Sequence, residues 1–262
     1  MPVFYDQMNR AVEISSTPKR IVSVVPSQTE LLFDLGLDNR IIGVTKFCIH
    51  PADKVKSKLK VGGTKNLDIN KIREINPDLV IGNKEENEQS QIEELMQDFP
   101  VWMSDIADLE DAIDMIQRVG ELVERKAEAG ALIEGINAGF DKLSIQSPEL
   151  RAAYFIWRKP YMVAGKGTFI DAMLQRCGLI NVFNTERYPE INAKQLIAAR
   201  PDVILLSSEP YPFKDKHIRE FESLLPQAKI KLVDGEMFSW YGSRMLKAPG
   251  YFKKLNELIR LG

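Results

Sequence analysis

The feature that most constrains the fold is a long amphipathic run, residues 108–143, which separates two similar halves of the chain. Its apolar residues recur at helical spacing, and the positions between them are mostly charged. The run contains no proline, and as one helix it would be about 50 Å long. It predicts one continuous helix with one buried face, stopped at Ser147-Pro148. Its glycines leave open a two-helix hairpin that bends near Gly130.

The two halves flanking this run repeat the same order of strands and helices. A helix breaker followed by an apolar strand occurs at 76–81 (NPDLVI) and again at 200–205 (RPDVIL). Such self-similarity indicates an internal repeat of a whole α/β unit, and strands alternating with helices predict mainly parallel sheets. We therefore predict an α/β fold with two Rossmann-like lobes joined by one backbone helix. The predicted boundaries are 1–104 for the N-terminal lobe, 105–146 for the interlobe helix and 147–262 for the C-terminal lobe.

Local patterns predict where the first helices begin and end. Residues 20–25 predict a strand that Pro26 ends, after a polar lead-in. Ser27 followed three residues later by Glu30 fits a capping box, which predicts a helix start at Ser27. Gly36 is expected to end that helix in a left-handed conformation. Asp68 is expected to cap the next helix.

Composition excludes several classes of function. The net charge is −2 and the basic residues are dispersed, so no nucleic-acid surface is indicated. No apolar run approaches the ~20 residues of a membrane helix, so no membrane insertion is expected. Cys48 and Cys177 lie far apart in sequence and imply no disulfide framework. Residues 1–6 lack the features of a secretory signal, so the protein is either cytoplasmic or a mature form whose leader was replaced by Met1.

The sequence contains no recognisable catalytic motif. The 164–168 stretch superficially resembles a phosphate loop, but Pro160 and Gly167 occupy positions that require Gly and Ser or Thr. With His50 and His217 as the only histidines, one in each half, neither a metal site nor a base–nucleophile set is indicated. We expect no catalytic residues, no protein-bound metal and no enzymatic activity.

The predicted strand ends and loops are rich in aromatic residues, with cations interleaved. Ligands of parallel α/β sheets bind at the carboxyl ends of the strands, so a cleft between the lobes is the expected site. Its aromatic walls and few cations would suit a flat, partly anionic ligand. For each ring, the alternative is that it fills the core of a lobe. The rings are Phe47, Trp157, Tyr161, Phe169, Tyr188, Tyr211, Phe238, Trp240 and Tyr241, and the cations are Lys46, Lys65, Arg158 and Arg244.

Five segments in order carry a resemblance to a known family: 26–32 (PSQTELL), 76–81, 174–178 (LQRCG), 201–204 (PDVI) and 207–209 (SSE). Together they resemble the substrate-binding proteins of ABC importers that have a helical backbone and take cobalamin, haem or iron–siderophore chelates. The chain is most similar to the cobalamin-binding branch. The resemblance implies lobes that close only slightly on ligand.

The resemblance also implies an acidic residue on each lobe that docks on arginines of the permease. By position these are Glu86 or Glu88 in the first lobe and Glu209 in the second. The chain departs from cobalamin-binding relatives at 63–66, where they carry a tryptophan, and in the loop that holds Phe47. Cobalamin, another corrinoid, haem and a siderophore therefore all remain open as ligands.

The leading hypothesis is a binding protein that captures a metal chelate in the interlobe cleft and delivers it to an ABC permease. We expect a monomer without a cofactor of its own, whose ligand is an iron or cobalt chelate. It would be periplasmic or at the cell surface if a leader was removed, and cytoplasmic if the chain is native as given. The alternatives are an intracellular two-lobe enzyme and a cytoplasmic chelate sensor or chaperone. The predicted ligand-binding residues are Lys46, Phe47, His50, Lys65, Trp157, Tyr188, Tyr211, Trp240, Tyr241 and Arg244.

Overall fold

The computed structural model describes residues 2–143 and 150–261, and the chain divides into two compact units. The first unit comprises Met1–Ile106, Glu110–Gly135 and Tyr241–Arg244, and the second comprises Ala107–Leu109, Ile136–Trp240 and Met245–Gly262. The predicted lobe boundaries 1–104, 105–146 and 147–262 stay a prediction.

The first unit is built on a parallel sheet in the order β5-β4-β3-β8-β9. Its strands are β1 (Val3–Tyr5), β2 (Ala11–Glu13), β3 (Ile21–Ser23), β4 (Ile41–Val44), β5 (Leu59–Lys60), β6 (Gly62–Gly63), β7 (Asn66–Leu67), β8 (Leu79–Asn83) and β9 (Val101–Ser104). Its helices are α1 (Pro26–Asp34), α2 (Ile69–Ile75) and α3 (Gln89–Leu95), with a 3-10 turn at Val55–Ser57. Strands buried on both faces explain the continuous apolar runs. Its core cluster includes Val22 and Val80 of the strands and Ile72 and Leu95 of the helices.

The start of α1 differs from the prediction. Val25 is the N-cap residue, it makes no side-chain cap bond, and Pro26 occupies the first turn. The predicted capping box of Ser27 and Glu30 is therefore wrong. Proline suits this position because its fixed φ is helical and its missing N–H would have no partner there. The left-handed end at Gly36, with φ of 74°, is confirmed.

The cap of α2 is confirmed, because the Asp68 side chain accepts from the Lys71 N–H at 3.1 Å. The polar lead-in contains an antiparallel pair that the sequence pattern did not reveal. β1 pairs with β2, and Val3 lies opposite Glu13.

The long amphipathic run is not one helix. It forms α4 (Leu109–Leu122) and α5 (Lys126–Asp141), so the predicted continuity is wrong, and Gly130 lies inside α5 rather than at a bend. Glu124 adopts a left-handed φ of 56°, and the Arg125 N–H donates to the Gly120 carbonyl at 2.7 Å. Arg40 donates to the Val123 carbonyl at 2.9 Å. These bonds satisfy groups that a helix end leaves free. The predicted stop at Ser147-Pro148 lies outside the described residues.

The second unit is built on a mainly parallel sheet in the order β13-β11-β10-β14-β15, with β12 beside β10. Its strands are β10 (Leu150–Trp157), β11 (Tyr161–Val163), β12 (Leu179–Asn181), β13 (Glu190–Ile191), β14 (Val203–Ser207) and β15 (Lys229–Val233). Its helices are α6 (Phe169–Arg176), α7 (Ala193–Ala199), α8 (Asp215–Leu224), α9 (Glu236–Ser239) and α10 (Ala248–Leu261), and a 3-10 helix covers Ser243–Leu246. β11 pairs antiparallel with β10 and β13. Phe155, Leu206 and Phe221 lie in its core.

Candidate functional site

An aromatic surface lies at the carboxyl end of β4 in the first unit. The Cys48 thiol is buried within 3.2 Å of the hydroxyls of Thr29 and Thr45. This anchor leaves its neighbours Phe47 and Ile49 exposed, at 51% and 50%. Burial raises the pKa of the Cys48 thiol, which suits an anchor rather than a nucleophile.

The Phe47 ring rests on the β6–β7 hairpin because Gly63 has no side chain. A Cβ at Gly63 would lie 3.1 Å from Cε2 of Phe47 and 3.3 Å from Cε of Lys46. The Lys46 Nζ lies 5.1 Å from the centroid of the Phe47 ring. The structure therefore brings together two predicted ligand-binding residues, an exposed ring and an exposed cation.

Lys65 lies beside the acidic loop that follows β8. Its Nζ donates to the carbonyls of Glu85 at 2.7 Å and Asn87 at 3.2 Å. Asn83, the last residue of β8, accepts from the N–H groups of Glu85 and Glu86 through its side-chain oxygen. Lys65 thus ties the hairpin to this loop, and its contact with a ligand stays a prediction.

Among the predicted docking acids of the first unit, Glu86 is half-buried and Glu88 is exposed at the N-cap of α3. The Tyr241 hydroxyl donates to Glu86 Oε1 at 2.7 Å, and Tyr241 is only 5% exposed. Burial, together with the charge of Glu86, raises the pKa of Tyr241. In the structure, Tyr241 therefore holds the Glu86 carboxylate through a hydrogen bond. Its stacking on a ligand stays a prediction.

Arg244 forms a buried ion pair with Glu30 of α1. Its Nε and Nη2 donate to the two carboxylate oxygens of Glu30 at 2.7 and 2.5 Å, and Arg244 is 6% exposed. Bidentate geometry is the strong form of this interaction. Arg244 was expected to meet acidic groups of a ligand. That role stays a prediction, and the ion pair gives the guanidinium a structural function. The pairing of Glu30 was not predictable from local sequence, because its partner is 214 positions away.

The second unit presents Trp157 at the end of β10, 40% exposed. Its ring meets the edge of Tyr211 with centroids 5.6 Å apart. The neighbouring Arg158 is paired with Glu220 at 2.8 Å, and Tyr161 also donates to Glu220. Trp157 and Tyr211, both predicted ligand-binding residues, are therefore brought together, whereas Arg158 is engaged inside the unit.

Trp240 contacts the acid predicted to dock the second unit. Its Nε1 donates to Glu209 Oε1 at 2.8 Å, and the Ser239 hydroxyl donates to the same oxygen at 2.7 Å. Burial raises the pKa of Glu209, and the nearby Glu236 and Asp234 add to this effect. Tyr188 is half-buried in the second unit and His50 half-buried in the first, and their ligand contacts stay predictions.

Four of the listed aromatic residues are buried, namely Phe169, Phe238, Trp240 and Tyr241. Phe169 and Phe238 are buried in the second unit, so the packing interpretation is correct for them. His217 is also buried, and its Nδ1 accepts from the Lys214 N–H at 2.8 Å. Within residues 2–143 and 150–261, His, Cys, Asp and Glu form no group of three that could hold a metal ion.

The last residues of two central strands have roles that the sequence pattern did not predict. Asn83 ends β8, and its side chain organises the loop of Glu86. Ser207 ends β14, and its hydroxyl donates to the Glu209 carbonyl at 2.6 Å. The available signal was positional, since each is the first polar residue after an apolar strand that follows a Pro-Asp pair.

Comparison with known proteins decides the family. A model described as periplasmic binding protein matches residues 21–224, well over half of the chain. The chain belongs to the periplasmic binding protein family. Family membership makes it a binding protein, the substrate-binding component of an ABC importer, as the sequence predicted. The alternatives of an intracellular enzyme and of a cytoplasmic chelate sensor or chaperone are not supported.

Individual relatives agree with this assignment. A vitamin B12-binding protein of Vibrio vulnificus (strain CMCP6) is 24% identical over 208 residues, 75% of this chain and 74% of that protein. A possible iron-binding protein of Staphylococcus epidermidis has a TM-score of 0.76 at 21% identity, covering 92% of this chain and 98% of its own. A periplasmic heme-binding protein of Roseiflexus sp. RS-1 has a TM-score of 0.75 at 20% identity, covering 92% and 97%. The predicted two-lobe α/β fold with parallel sheets is confirmed.

Proposed function

We propose that this periplasmic binding protein captures a metal chelate in the periplasm or at the cell surface and delivers it to the permease of its ABC importer. The names of its relatives state vitamin B12, heme and iron as their ligands. Vitamin B12 and heme are metal chelates and iron is itself a metal, so the class of metal chelates is proposed rather than one member. The metal belongs to the cargo, an iron or cobalt chelate, and no resident cofactor is proposed. The protein is proposed to act as a monomer.

The observation that carries this proposal is the exposed Phe47 ring with Lys46 beside it. An aromatic ring half open to solvent contributes little to its own unit, because exposed apolar area is not stabilising. It does offer a flat face to a conjugated ligand, and the adjacent ammonium suits a carboxylate or phosphate group on that ligand. A corrinoid, a porphyrin and an aromatic siderophore each fit this description.

Further ligand contacts are proposed in each unit separately. In the first unit they are His50, Lys65, Tyr241 and Arg244. In the second they are Trp157, Tyr188, Tyr211 and Trp240. Among the proposed contacts of the second unit, Trp157 has the most support. Its ring is exposed at the carboxyl end of β10, and parallel sheets bind ligands at the carboxyl ends of their strands.

Docking on the permease is proposed to use acids on the loops after β8 and β14. Glu86, Glu88 and Glu209 are the proposed residues, and permease arginines are their proposed partners. None of the helices in the described parts of the chain has the length and apolarity to cross a membrane.

The ligand proposal is tested by native mass spectrometry of protein taken from its own host. The expected result is an adduct with the mass of an iron or cobalt chelate. Purified apoprotein is then titrated with cyanocobalamin, hemin and ferric siderophores, followed by tryptophan fluorescence. Micromolar or tighter binding of one of them, weakened in Phe47→Ala, is expected. No adduct together with no binding of any of these probes would contradict the proposal.

A further inference from the structure

Two consecutive residues, Trp240 and Tyr241, each donate a hydrogen bond to a proposed docking acid. Trp240 belongs to the second unit and bonds Glu209 of that unit at 2.8 Å. Tyr241 belongs to the first unit and bonds Glu86 of that unit at 2.7 Å. The boundary between the units thus falls at the peptide bond that joins the two aromatic residues.

The contact with Glu209 is built on a close approach of two backbones. A Cβ at Gly235 would lie 2.6 Å from Cγ and 3.2 Å from N of Glu209. Because residue 235 is glycine, α9 can lie against the Glu209 loop, and Ser239 and Trp240 reach the carboxylate. Both donors bond Oε1. Charge-assisted bonds of this kind fix an acid's orientation.

The contact with Glu86 is equally constrained. Asn83 fixes the backbone of the loop by accepting from the Glu86 N–H at 3.0 Å. Tyr241 is buried, so its hydroxyl is held in place at 2.7 Å from the carboxylate. Each acid therefore has its backbone held by the last residue of a strand and its carboxylate held by one member of the aromatic pair.

We propose that Trp240 and Tyr241 are positioning residues that orient Glu209 and Glu86 for docking on the permease. The inference rests on the proposed docking role of these two acids. Both acids are set by the same short segment.

Double-mutant cycles test this, with the ligand-free chain binding its own permease–ATPase complex in nanodiscs. Tyr241→Phe removes only the hydroxyl, and Trp240→Phe removes the indole N–H. Each is expected to weaken binding about threefold to tenfold. The same substitutions in Glu86→Gln and Glu209→Gln backgrounds, respectively, are expected to have almost no further effect. Tyr5→Phe, at an exposed tyrosine outside the proposed sites, is the matched control. Thermal unfolding verifies that each variant is folded.

The outcomes separate the inference from the proposed function. If the unmodified chain does not bind the complex, or both Glu→Gln variants bind as tightly as it does, the docking assignment fails and the inference fails with it. If the Glu→Gln variants weaken binding while the aromatic variants do not, the inference alone is overturned. Equal losses in the wild-type and Glu→Gln backgrounds would also overturn it, since a merely structural effect does not depend on the carboxylate.

Discussion

The two α/β units use the same device at the amino ends of their sheets. In the first unit, Asp78 accepts from the Arg20 N–H at 2.9 Å, and the Arg20 guanidinium donates to carbonyls at the end of α2. In the second unit, Asp202 accepts from the Arg151 N–H at 2.9 Å, and the Arg151 guanidinium donates to carbonyls at the end of α7. The helices end at left-handed residues with φ of 50° and 48°. The internal repeat therefore extends to individual hydrogen bonds.

The carboxyl ends differ. The first unit presents Phe47 with a lysine beside it, whereas the second presents Trp157 against Tyr211. Buried acids also differ: Glu30 has a buried bidentate arginine, whereas Asp171 has the half-exposed Lys166 and the neutral Asn181. The comparison teaches that the repeat retains what ends helices and joins strands, while the carboxyl ends of the sheets, where ligand binding is proposed, have diverged.

The largest expected difference between the units concerns these buried acids. Glu30→Gln should reduce the free energy of unfolding by about 3–5 kcal/mol, because it removes the carboxylate charge that pairs with the buried Arg244 guanidinium. Asp171→Asn should reduce it by only about 1–2 kcal/mol, since Lys166 can turn to water. Urea unfolding followed by far-UV circular dichroism measures both.

The control for this prediction is the double variant Glu30→Met with Arg244→Met. It should recover most of the lost stability, because two apolar side chains of similar volume replace both charges. Equal losses in Glu30→Gln and Asp171→Asn, or no recovery in the double variant, would contradict the contrast between the units.

The matched arginines provide the next test. Arg20→Ala and Arg151→Ala each remove bonds to two helix-end carbonyls, so each should reduce the free energy of unfolding by about 1–2 kcal/mol. Because the two sites lie in separate units, the effects should add in the double variant. The same urea titrations measure both variants. If only one of them lost stability, the matched hydrogen bonds would contribute unequally to the free energy of unfolding of the two units.

Local signals account for most of the fold that could be predicted. Breakers such as Pro77 and Pro201, the Asp68 cap and the Gly36 end act within a few residues, so the sequence reports them directly. The break at Glu124 gave no such signal, because the residue that adopts the left-handed conformation there is a glutamate and not a glycine, and no proline is nearby. Hydrogen bonds to backbone carbonyls offset the cost of this left-handed conformation. One is donated by the Arg125 N–H and the other by Arg40, which lies far away in sequence.

The candidate site was less predictable than the fold. Residue type predicted that the aromatic rings of Phe47 and Trp157 are available for stacking on a ligand, and both rings are exposed in the structure. Residue type could not show that Arg244 would be paired with Glu30 or that Tyr241 would bond Glu86. Both contacts join positions more than 150 residues apart, and only tertiary structure brings them together.

A smaller effect is expected for the ring surface of the first unit. Gly63→Val should tilt the Phe47 ring, because a Cβ there would lie 3.1 Å from it. Affinity for the chelate identified by mass spectrometry should fall about threefold, and Phe47→Ala should lower it about tenfold. Isothermal titration measures both, with Tyr5→Ala as the control. If only Trp157→Ala weakened binding, the second unit alone would supply the ring contact.

The smallest expected effect is a pH dependence confined to the second unit. Burial lowers the pKa of His217, and the nearby Arg158 and Lys216 lower it further. The unfolded chain therefore takes up the proton first as the pH falls. Stability contributed by neutral His217 is present above its unfolded pKa of about 6.5 and is lost as the pH falls through the folded pKa. His217→Gln should lose less stability than the wild type between pH 7.5 and 5.5.

Comparing variants at each pH is necessary because Glu209 acts in the opposite direction. Burial raises the pKa of Glu209, so protonation of this acid favours the folded state as the pH falls. The contribution of Glu209 is the same in the wild type and in His217→Gln, so it cancels in the difference between their free energies of unfolding. Urea titrations of both proteins at pH 7.5 and 5.5 measure that difference. The control Tyr5→Phe, at an exposed tyrosine of the first unit, should retain the full wild-type loss. An equal loss in His217→Gln and in the wild type would place the pH dependence outside the cluster of Tyr211, Phe213 and His217.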